Sequence, residues 1–495
     1  MASQTQDKEK SLTHLRTLVP PNEVFDESHP SYHASSAPWS THEDRHPTLV
    51  LQPSTLETLT RLVPALYASN LDFAVRNTGT GSVSARDVIL STQGLKGFVF
   101  NPADETVTLG SGFSWGEVDA LMEEHAPGYA VVGARCGWVG VTGSALVGGL
   151  SWLSHEFGLI SDPENLLDMQ IVLRDGRAVW AGEADKELMW ALRGGGGNFG
   201  GKAIPLPRLV TALQLQARRY TTQIFTGRVF LPYSALHEVS KAVAMMAARP
   251  ADPKLAMHVT KRGSGLGEAA QGGKPGIAIY MYDANGEAHG RSEAGFAWVF
   301  RIAGAEGATV GVRSLREMHA MANSFLEWRD TSLFHWSSAP LIAEIDEQTL
   351  LRAWEWWEES FRLCEGFQEG STVILEFMQE AAMCSSGGRS KTGWPHHGRR
   401  HVMQIVLGCK PEAAPANIRE IAMKQLAKAG AHISGPHEFP KEYHAGFLQE
   451  WNDLDEVYGE NLPRLQEVKR KYDPQNRFNK GVDLMSEKVR VGPVA

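Results

Sequence analysis

The segment WALRGGGGNFG, residues 190–200, contains four consecutive glycines between apolar residues. A helix or a central strand is disfavoured, because each glycine there costs about 0.5–1 kcal/mol relative to alanine. A flexible linker is the other interpretation of a glycine run, but linkers are polar throughout, whereas Trp190, Leu192 and Phe199 favour burial. The segment therefore predicts a backbone that passes close to a large, flat group, or that adopts conformations open to glycine alone.

Composition and charge restrict the class of protein. A chain of 495 residues is too long for one hydrophobic core, so we expect two or so domains. The contents of 42% hydrophobic and 21% charged residues are typical of soluble globular proteins. The formal net charge of −9 and the lack of a basic cluster argue against a nucleic-acid partner. No apolar run is long enough for a membrane span.

The sequence predicts a cytoplasmic protein. The first twenty residues carry charges throughout and lack the apolar core of a signal peptide. No N-x-Ser/Thr glycosylation site occurs. The chain has four cysteines, which is too few for a disulfide framework at this length.

Turn residues and apolar patterns divide the first half of the chain into short elements. Residues 1–40 predict a polar, turn-rich lead-in. From Pro47 the pattern predicts strand, helix and strand, with Ser54 as the helix N-cap and Glu57 completing a capping box. DVILST, KGFVF and TVTLGS, between residues 87 and 111, predict three strands. Residues 168–181 predict a hairpin that turns at Asp175-Gly176.

The segment LLRAWEWWEESFRL, residues 350–363, predicts an amphipathic helix. Leu350, Trp354, Trp357 and Phe361 share one face at helical spacing, and core packing is the simplest interpretation of these residues. Because three tryptophans within four residues cannot all face inward, we expect at least one of them to contact a partner or a second subunit.

Four further segments accompany the glycine run. They are FAVRNTGTGS (73–82), TVTLGSGFSWGEV (106–118), GARCGWVGVTGSALVGGLSWLSHEFGL (133–159) and YGENLPRLQEVKRKYDPQNRF (458–478). In this order they resemble the FAD-binding flavoenzymes of the vanillyl-alcohol oxidase superfamily (PCMH-type), specifically the berberine-bridge-enzyme-like oxidases. The resemblance is good over about residues 40–220 and 440–485 and loose between them.

The resemblance implies an α+β fold. It comprises a two-subdomain FAD-binding domain of the vanillyl-alcohol oxidase type and an α+β substrate domain whose antiparallel sheet is covered by helices. We assign residues 41–222 to the FAD-binding domain and 223–438 to the substrate domain. Residues 439–495 are then a berberine-bridge-like segment that completes the FAD-binding domain.

FAD needs backbone N–H groups for its pyrophosphate and an apolar slot for its isoalloxazine ring. The loop Arg76-Asn77-Thr78-Gly79-Thr80-Gly81-Ser82 follows a predicted strand and can present N–H groups and hydroxyls to phosphate. A plain strand-ending turn is the alternative. In relatives this loop carries a histidine bonded to the flavin; Thr80 stands there in this chain and cannot form that bond.

The segment CGWVGVTG (136–143) matches the motif whose cysteine carries the flavin in doubly linked relatives. A cysteinyl bond requires a thiolate, and a buried, inert cysteine is the alternative. Three alternatives stay open: FAD bound without a covalent bond, FAD bound through a single covalent link to Cys136, and no bound FAD. The resemblance further assigns these residues to the cofactor site: Val139, Gly140, Gly143, Gly148, Gly149, Asn198, Gly200 and Asn476.

After the glycine run, GKAIPLPR (201–208) stands where relatives continue directly into a strand. Its two prolines predict a loop. It is either a genuine insertion near the adenine or an error in the predicted gene.

Candidate catalytic residues lie in the second half of the chain. Glu450 occupies the place of a tyrosine that relatives use as a base or substrate contact, and a desolvated carboxylate can act as a base; a surface glutamate is the alternative. Tyr443, nearby, can also move a proton. GWPHH (393–397) resembles the strand that lines the substrate in relatives. Adjacent histidines in a strand point to opposite faces, so we expect His396 or His397 to face the flavin, against an exposed polar loop. No metal-binding spacing occurs.

The function that the resemblance implies is FAD-dependent oxidation with O₂ as acceptor, and we expect the substrate to be a small hydrophobic or aromatic molecule of secondary metabolism. Two alternatives stay open. Thr80 and Glu450 depart from the family at functional positions, so the fold could serve a cyclase or isomerase in which FAD is structural. The chain could also be a degenerate flavin-fold protein that only binds a ligand or partner.

Overall fold

The structure is a computed structural model. It describes residues 2–196, 208–262, 276–302, 304–305, 309–330, 333–368, 370–378, 383, 391–396, 401–438, 441–449, 452–477 and 483–485. Four of the predicted site residues lie outside these ranges, namely Asn198, Gly200, His397 and Glu450. Residues 201–207 of the predicted insertion also lie outside them, and Arg208 is the first residue of a strand.

The first subdomain is a four-stranded sheet in the order β1-β2-β4-β3. Its strands are β1 (Val24–Phe25), β2 (Leu49–Leu51), β3 (Phe73–Arg76) and β4 (Val88–Ser91), and its helices are α1 (Ala2–Leu18), α2 (Tyr32–Ser36) and α3 (Leu56–Ala68). Strands β2, β3 and β4 are parallel. The predicted strand-helix-strand pattern from Pro47 is confirmed.

The N-cap of α3 differs from the prediction by one residue. Thr55 is the cap, and its side chain accepts a hydrogen bond from the Thr58 N–H at 3.2 Å. The Ser54 hydroxyl instead donates to the Glu23 carboxylate. A contact with a residue distant in sequence therefore decides which of two adjacent hydroxyls caps the helix.

Helix α1 is absent from the sequence prediction, which placed a turn-rich lead-in over residues 1–40. Leu12, Leu15 and Val19 are buried in the same hydrophobic cluster as Leu59 and Leu62 of α3. The spacing of three and four residues places these apolar side chains on one helical face. The surrounding charges mask that narrow stripe in a composition-based prediction.

The second subdomain is an antiparallel six-stranded sheet. Its strands are β5 (Phe98–Asn101), β6 (Thr106–Gly110), β7 (Tyr129–Val131), β8 (Leu166–Leu173), β9 (Ala178–Trp180) and β10 (Arg208–Arg219). The order is β5-β6-β10-β8-β9, with β7 also paired to β10. The predicted strands between residues 87 and 111 are confirmed, as is the hairpin, in which Gly176 has φ +87°.

Short helices follow these strands in the second subdomain. They are α4 (Trp115–His125), α5 (Val141–Leu146), α6 (Ser154–Phe157), α7 (Ala181–Ala184) and α8 (Lys186–Leu192). Helix α4 begins with a capping box formed by Ser114 and Glu117. The CGWVGVTG motif therefore begins in the loop between β7 and α5 and ends in the first turn of α5.

The third sheet is antiparallel and has the order β14-β11-β13-β12-β17-β18-β15, with β16 on β18. Its strands are β11 (Ile224–Pro232), β12 (Leu255–Arg262), β13 (Gly276–Asp283), β14 (Gly311–Arg313), β15 (Phe334–Ser338), β16 (Leu341–Ile342), β17 (Thr372–Phe377) and β18 (His401–Cys409). The helices of this region are α9 (Leu236–Ala247), α10 (Glu287–Gly290), α11 (Ala297–Arg301), α12 (Leu315–Ala320), α13 (Thr349–Leu363) and α14 (Ile418–Ser434). Helices α9, α13 and α14 cover one face of the sheet. The predicted α+β fold is confirmed.

All three tryptophans of α13 are buried, so the prediction of an exposed tryptophan is wrong. Trp354, Trp356 and Trp357 are at most 6% exposed. The Trp356 indole donates to the Gln425 carbonyl of α14 at 2.9 Å, and the Lys261 ammonium of β12 lies over the Trp357 ring. Because α13 packs against both the sheet and α14, two of its faces are covered and not only the one that faces the sheet.

The last described helices, α15 (Leu454–Tyr458) and α16 (Leu462–Tyr472), return to the first two subdomains. Arg464 makes two hydrogen bonds of 2.7 Å to Glu187 of α8. Arg477 donates to the carbonyls of Ser69 and Leu71. These contacts are those expected of a segment that completes the N-terminal domain.

Candidate functional site

The loop of residues 76–82 presents free backbone N–H groups. Gly79 has φ +82° and Ser82 has φ +56°, and the Ser82 N–H donates to the Gly79 carbonyl at 3.0 Å. Within the described part of the chain, the N–H groups of residues 78–81 have no hydrogen-bond acceptor. Successive free N–H groups in such a turn form an anion-binding concavity.

Asn77 connects this loop to the neighbouring turns. Its Nδ2 donates to the carbonyls of Ser111 at 2.8 Å and Phe113 at 2.9 Å. Gly140 lies so close that a Cβ there would be 2.6 Å from Asn77 Nδ2. The Asn77 Oδ1 and the Ser111 hydroxyl are buried and have no hydrogen-bond partner among the described residues. Buried polar oxygens without partners are rare in proteins and point to a missing ligand or water.

Arg76, assigned to the cofactor from the sequence, makes its described contacts with protein. Its guanidinium donates to the carbonyls of Ser36 at 2.6 Å and Ala37 at 2.5 Å. Gly79 covers it, because a Cβ there would lie 2.3 Å from the guanidinium. Burial lowers the pKa of Arg76 to about 9, with Arg329 as a further cause. Arg76 therefore holds the lead-in against the loop.

The loop that carries Cys136 is fixed by backbone bonds. The Trp115 N–H donates to the Val139 carbonyl at 3.0 Å, and the Gly116 N–H donates to the Gly137 carbonyl at 2.7 Å. Burial raises the pKa of the Cys136 thiol to about 11, and the neighbouring Arg135 opposes this only in part. The thiolate that a cysteinyl bond requires is therefore disfavoured.

The glycines near residues 148 and 194 lie against protein groups. A Cβ at Gly148 would lie 2.7 Å from the Trp394 ring, and one at Gly194 would lie 3.0 Å from Trp394 Cβ. A Cβ at Gly196 would lie 2.4 Å from the Tyr458 hydroxyl. Gly194 of the glycine run therefore lies against the backbone and Cβ of Trp394 and not against its indole. That the run passes close to a large, flat group stays a prediction.

The remaining glycines of the predicted cofactor set have separate places. Gly149 has φ +71°, and a Cβ there would lie 2.3 Å from Ile160. Gly143 lies within α5 and is partly exposed. Their assignment to the cofactor stays a prediction.

His396 is buried and bonded through both ring nitrogens. Nε2 lies 2.7 Å from Asp162 Oδ1, and Nδ1 lies 3.1 Å from the Trp394 carbonyl. Both partners are hydrogen-bond acceptors. Residues 391–394 form bends, and residues 395–396 are in neither a helix nor a strand. Because His397 lies outside the described residues, which of the two histidines faces the flavin stays a prediction. His396 ties the GWPHH segment to the second subdomain.

Tyr443 and Asn476 are the other described candidates. Burial raises the pKa of Tyr443 to about 12, with Glu456 as a second cause, so its phenol is a weak acid at neutral pH. Asn476 has φ +46°, and its Nδ2 donates to Asp483 at 2.8 Å. Its Oδ1 is buried without a described partner.

Sequence reasoning missed a row of polar side chains across the third sheet. The strand register places Arg228 opposite Tyr280, Tyr280 opposite His258, and His258 opposite Glu376. Directly opposed residues lie on one face of a sheet. Helices cover the other face, so this row faces the second subdomain.

The second subdomain contributes partners to this row. Arg135, beside Cys136, forms an ion pair with Glu376. The His258 ring stacks on Trp152 with centroids 4.0 Å apart. Burial holds the pKa of His258 well below its ordinary value and lowers that of His155 to about 4. Both imidazoles are therefore neutral at physiological pH.

These groups lie where the second subdomain meets the third sheet, a junction that is here called the interior cleft. Arg135, Cys136 and His258 retain accessible surface, although the surrounding protein desolvates all three. We infer from this combination that the three groups face a space between the two domains. The one sequence signal for it is Glu376, a carboxylate inside the apolar strand TVILEF.

A cavity of about 260 Å³ lies between Trp394 and the C-terminal segment. Three carboxylate side chains are among the residues that line it. The lining residues are Leu341, Trp394, Pro395, Lys441, Glu442, Asp455, Glu456, Val457 and Gly459. Burial raises the pKa of Glu456, and Lys441, at 3.8 Å, opposes this. Among the described residues, no group of three His, Cys, Asp or Glu side chains could hold a metal ion. Within the same ranges, no helix is long and apolar enough to span a membrane.

Comparison with known proteins identifies two matching families. The family described as "FAD binding domain" matches residues 47–182, and "Berberine and berberine like" matches residues 441–481. The FAD-linked oxidoreductase iacH of Pestalotiopsis fici is 24% identical over 91% of this chain and 86% of that protein. The FAD-dependent monooxygenase prx3 of Penicillium roqueforti is 26% identical over 57% and 54% of the two chains.

Solved structures share the fold at low sequence identity. 6-Hydroxy-D-nicotine oxidase from Arthrobacter nicotinovorans matches with a TM-score of 0.73 and 20% identity, over 94% of this chain and 98% of that one. A variant of berberine bridge enzyme matches with a TM-score of 0.73 and 14% identity, over 98% and 100%. Chitooligosaccharide oxidase gives a TM-score of 0.74 and 16% identity, over 97% and 99%.

Proposed function

The chain belongs to the FAD-binding oxidoreductases of the vanillyl-alcohol oxidase superfamily with a berberine-bridge-like segment, and from that premise we propose that it is an oxidase. Its substrate is a small hydrophobic or aromatic molecule of secondary metabolism, and O₂ takes up the electrons. The observation that carries the proposal is the turn of residues 78–81, whose four N–H groups have no acceptor among the residues that the structure describes.

The described residues fit FAD held without a covalent bond. The N–H groups of residues 78–81 and the hydroxyls of Thr78 and Thr80 would hold the pyrophosphate. Asn77 Oδ1 and the Ser111 hydroxyl, which lack described partners, are further contacts for the cofactor. Thr80 cannot form the histidyl bond, and the raised pKa of Cys136 disfavours the cysteinyl bond. Bound FAD supplies the two-electron acceptor for the oxidation.

Glu376 is the proton acceptor in this proposal. Its carboxylate is buried at the cleft, and the Arg135 guanidinium stabilises the ionised form that a base requires. Trp152 holds the adjacent His258 ring by stacking, so the row of polar groups keeps its arrangement when substrate enters. Arg228 donates to the Tyr280 hydroxyl at 3.3 Å, and this pair would orient the polar end of the substrate.

The test is the absorbance spectrum of purified protein before and after acid precipitation. The proposal expects a flavin spectrum that passes to the supernatant. Under anaerobic conditions a substrate should bleach the bound flavin, and admission of air should restore the colour and form hydrogen peroxide. Protein that binds no flavin even after reconstitution would refute an oxidase. Flavin that stays oxidised while the substrate rearranges would instead support the non-redox alternative.

A further inference from the structure

Residues 36–42 of the lead-in, here called the strap, bridge the loop of residues 76–82 and the third sheet. On one side, the Ser40 N–H donates to the Ser82 hydroxyl at 2.9 Å, next to the Arg76 bonds described above. On the other side, the His335 N–H of β15 donates to the Ser40 hydroxyl at 2.8 Å, and the Thr41 N–H donates to the Leu333 carbonyl at 3.2 Å. The strap is therefore held to both halves of the molecule.

The strap places Trp39 beside two aromatic rings from other parts of the chain. The Trp39 and Trp138 rings are nearly parallel, with an interplanar angle of 19° and centroids 6.3 Å apart. Phe325 belongs to the segment Met321–Asp330 of the third-sheet region, and its ring centroid lies 6.5 Å from that of Trp138. All three side chains are only partly buried.

The position of these rings connects them to the candidate site. Trp138 lies two residues beyond Cys136, which lines the interior cleft, and the neighbours of Trp39 are bonded to the loop of residues 76–82. Each of the three rings is partly exposed, so each has apolar surface that a ligand can contact. The rings converge at the junction of the two domains, where small-molecule sites commonly occur.

We propose that Trp39, Trp138 and Phe325 bind the planar aromatic ring of the substrate, an inference that rests on the proposed function and names the substrate class. Aromatic side chains in offset or edge-on arrangements favour a flat π-system over a saturated ring of the same size. None of the three carries a charge, so polar substituents of the substrate are left to the row of Arg228, His258, Tyr280 and Glu376 across the cleft.

The experiment measures binding of two neutral probes, 2-naphthol and decahydro-2-naphthol, by titration calorimetry with the FAD-loaded enzyme. We expect 2-naphthol to bind at least about tenfold more tightly than its saturated counterpart. Trp39→Ala and Trp138→Ala should each weaken 2-naphthol binding about five- to tenfold, and Trp39→Phe should retain most of it. The matched control is Trp298→Ala, since Trp298 is also partly buried but contacts Met246 far along the third-sheet region.

Equal affinity for the two probes would overturn the proposal, and so would wild-type affinity for 2-naphthol in both alanine variants. Loss of FAD from these variants, with Trp298→Ala still loaded, would assign the rings to the cofactor and overturn it as well. Calorimetry does not depend on flavin turnover. Failure of the oxidase proposal, seen as flavin that no substrate bleaches, is therefore distinguishable from failure of this one.

Discussion

Replacement of Cys136 by serine should leave the attachment of FAD unchanged, because the Cys136 thiol is scarcely ionised in the folded protein. Burial raises its pKa from 9.0 to about 11. At pH 8 the thiolate fraction falls from about 9% for an unperturbed thiol to about 0.1%, which is about a hundredfold. A bond-forming step that needs the thiolate is slowed by the same factor.

Alkylation by iodoacetamide measures this difference directly. Mass spectrometry of the Cys136 peptide gives the rate between pH 7 and pH 11, in native protein and in urea. We expect the native rate to be still rising near pH 11, and the rate in urea to level off about two pH units lower. The urea series is the internal control, since it reports the same peptide without the protein surroundings.

Two results would refute this reasoning. One is a native alkylation profile that titrates near pH 9 or below, because burial would then not control the thiol. The other is yellow colour that precipitates with wild-type protein in acid and passes to the supernatant in Cys136→Ser. That outcome would make Cys136 the covalent anchor despite its desolvation.

Three further predictions concern single side chains. Glu376→Gln should retain FAD but slow anaerobic bleaching by substrate about 10²–10⁴-fold in stopped-flow measurements, as expected for loss of a general base; an unchanged rate would exclude Glu376 from that role. Burial lowers the pKa of Lys261 from 10.5 to about 7. The folded state therefore binds this proton more weakly than the unfolded state does, which destabilises the folded protein. This destabilisation is complete below pH 7 and vanishes as the pH approaches 10.5. At pH 7, where the folded-state lysine is half protonated, the shift costs the folded protein about 4 kcal/mol. Lys261→Met removes that cost but also removes the contact with the Trp357 ring, which is worth about 2 kcal/mol, so it should raise the free energy of urea unfolding by about 2 kcal/mol at pH 7. A gain of the same size at pH 10 would contradict the titration argument. Asp162→Asn removes the carboxylate that accepts hydrogen bonds from His396 and from the Leu159 N–H. This variant should have a free energy of unfolding lower by about 1–3 kcal/mol, and a thermal melting curve identical to that of the wild type would contradict the prediction.

The elements that the sequence predicts correctly are those whose signals are local. The β8-β9 hairpin follows from Asp175-Gly176, and Gly176 adopts the positive φ that this turn requires. The errors arise where a distant residue decides between local options. Glu23 binds Ser54 and leaves Thr55 to cap α3. Likewise, α14 covers Trp356, a contact that helical spacing alone cannot reveal.

The proposed cofactor loop can be predicted from local sequence and the proposed catalytic row cannot, for a physical reason. In the proposed function the pyrophosphate is bound by backbone N–H groups, and the glycine pattern of residues 76–82 determines where those groups point whatever side chains it carries. Thr80 can therefore stand in place of histidine without loss of the turn, so the motif predicts an FAD site without predicting how the FAD is attached. Glu376 and His258 lie opposite each other only because β12 pairs with β17, and Arg135 reaches Glu376 from another sheet. A site built from strand register has no contiguous motif, and its only trace in the sequence is a carboxylate in an otherwise apolar strand.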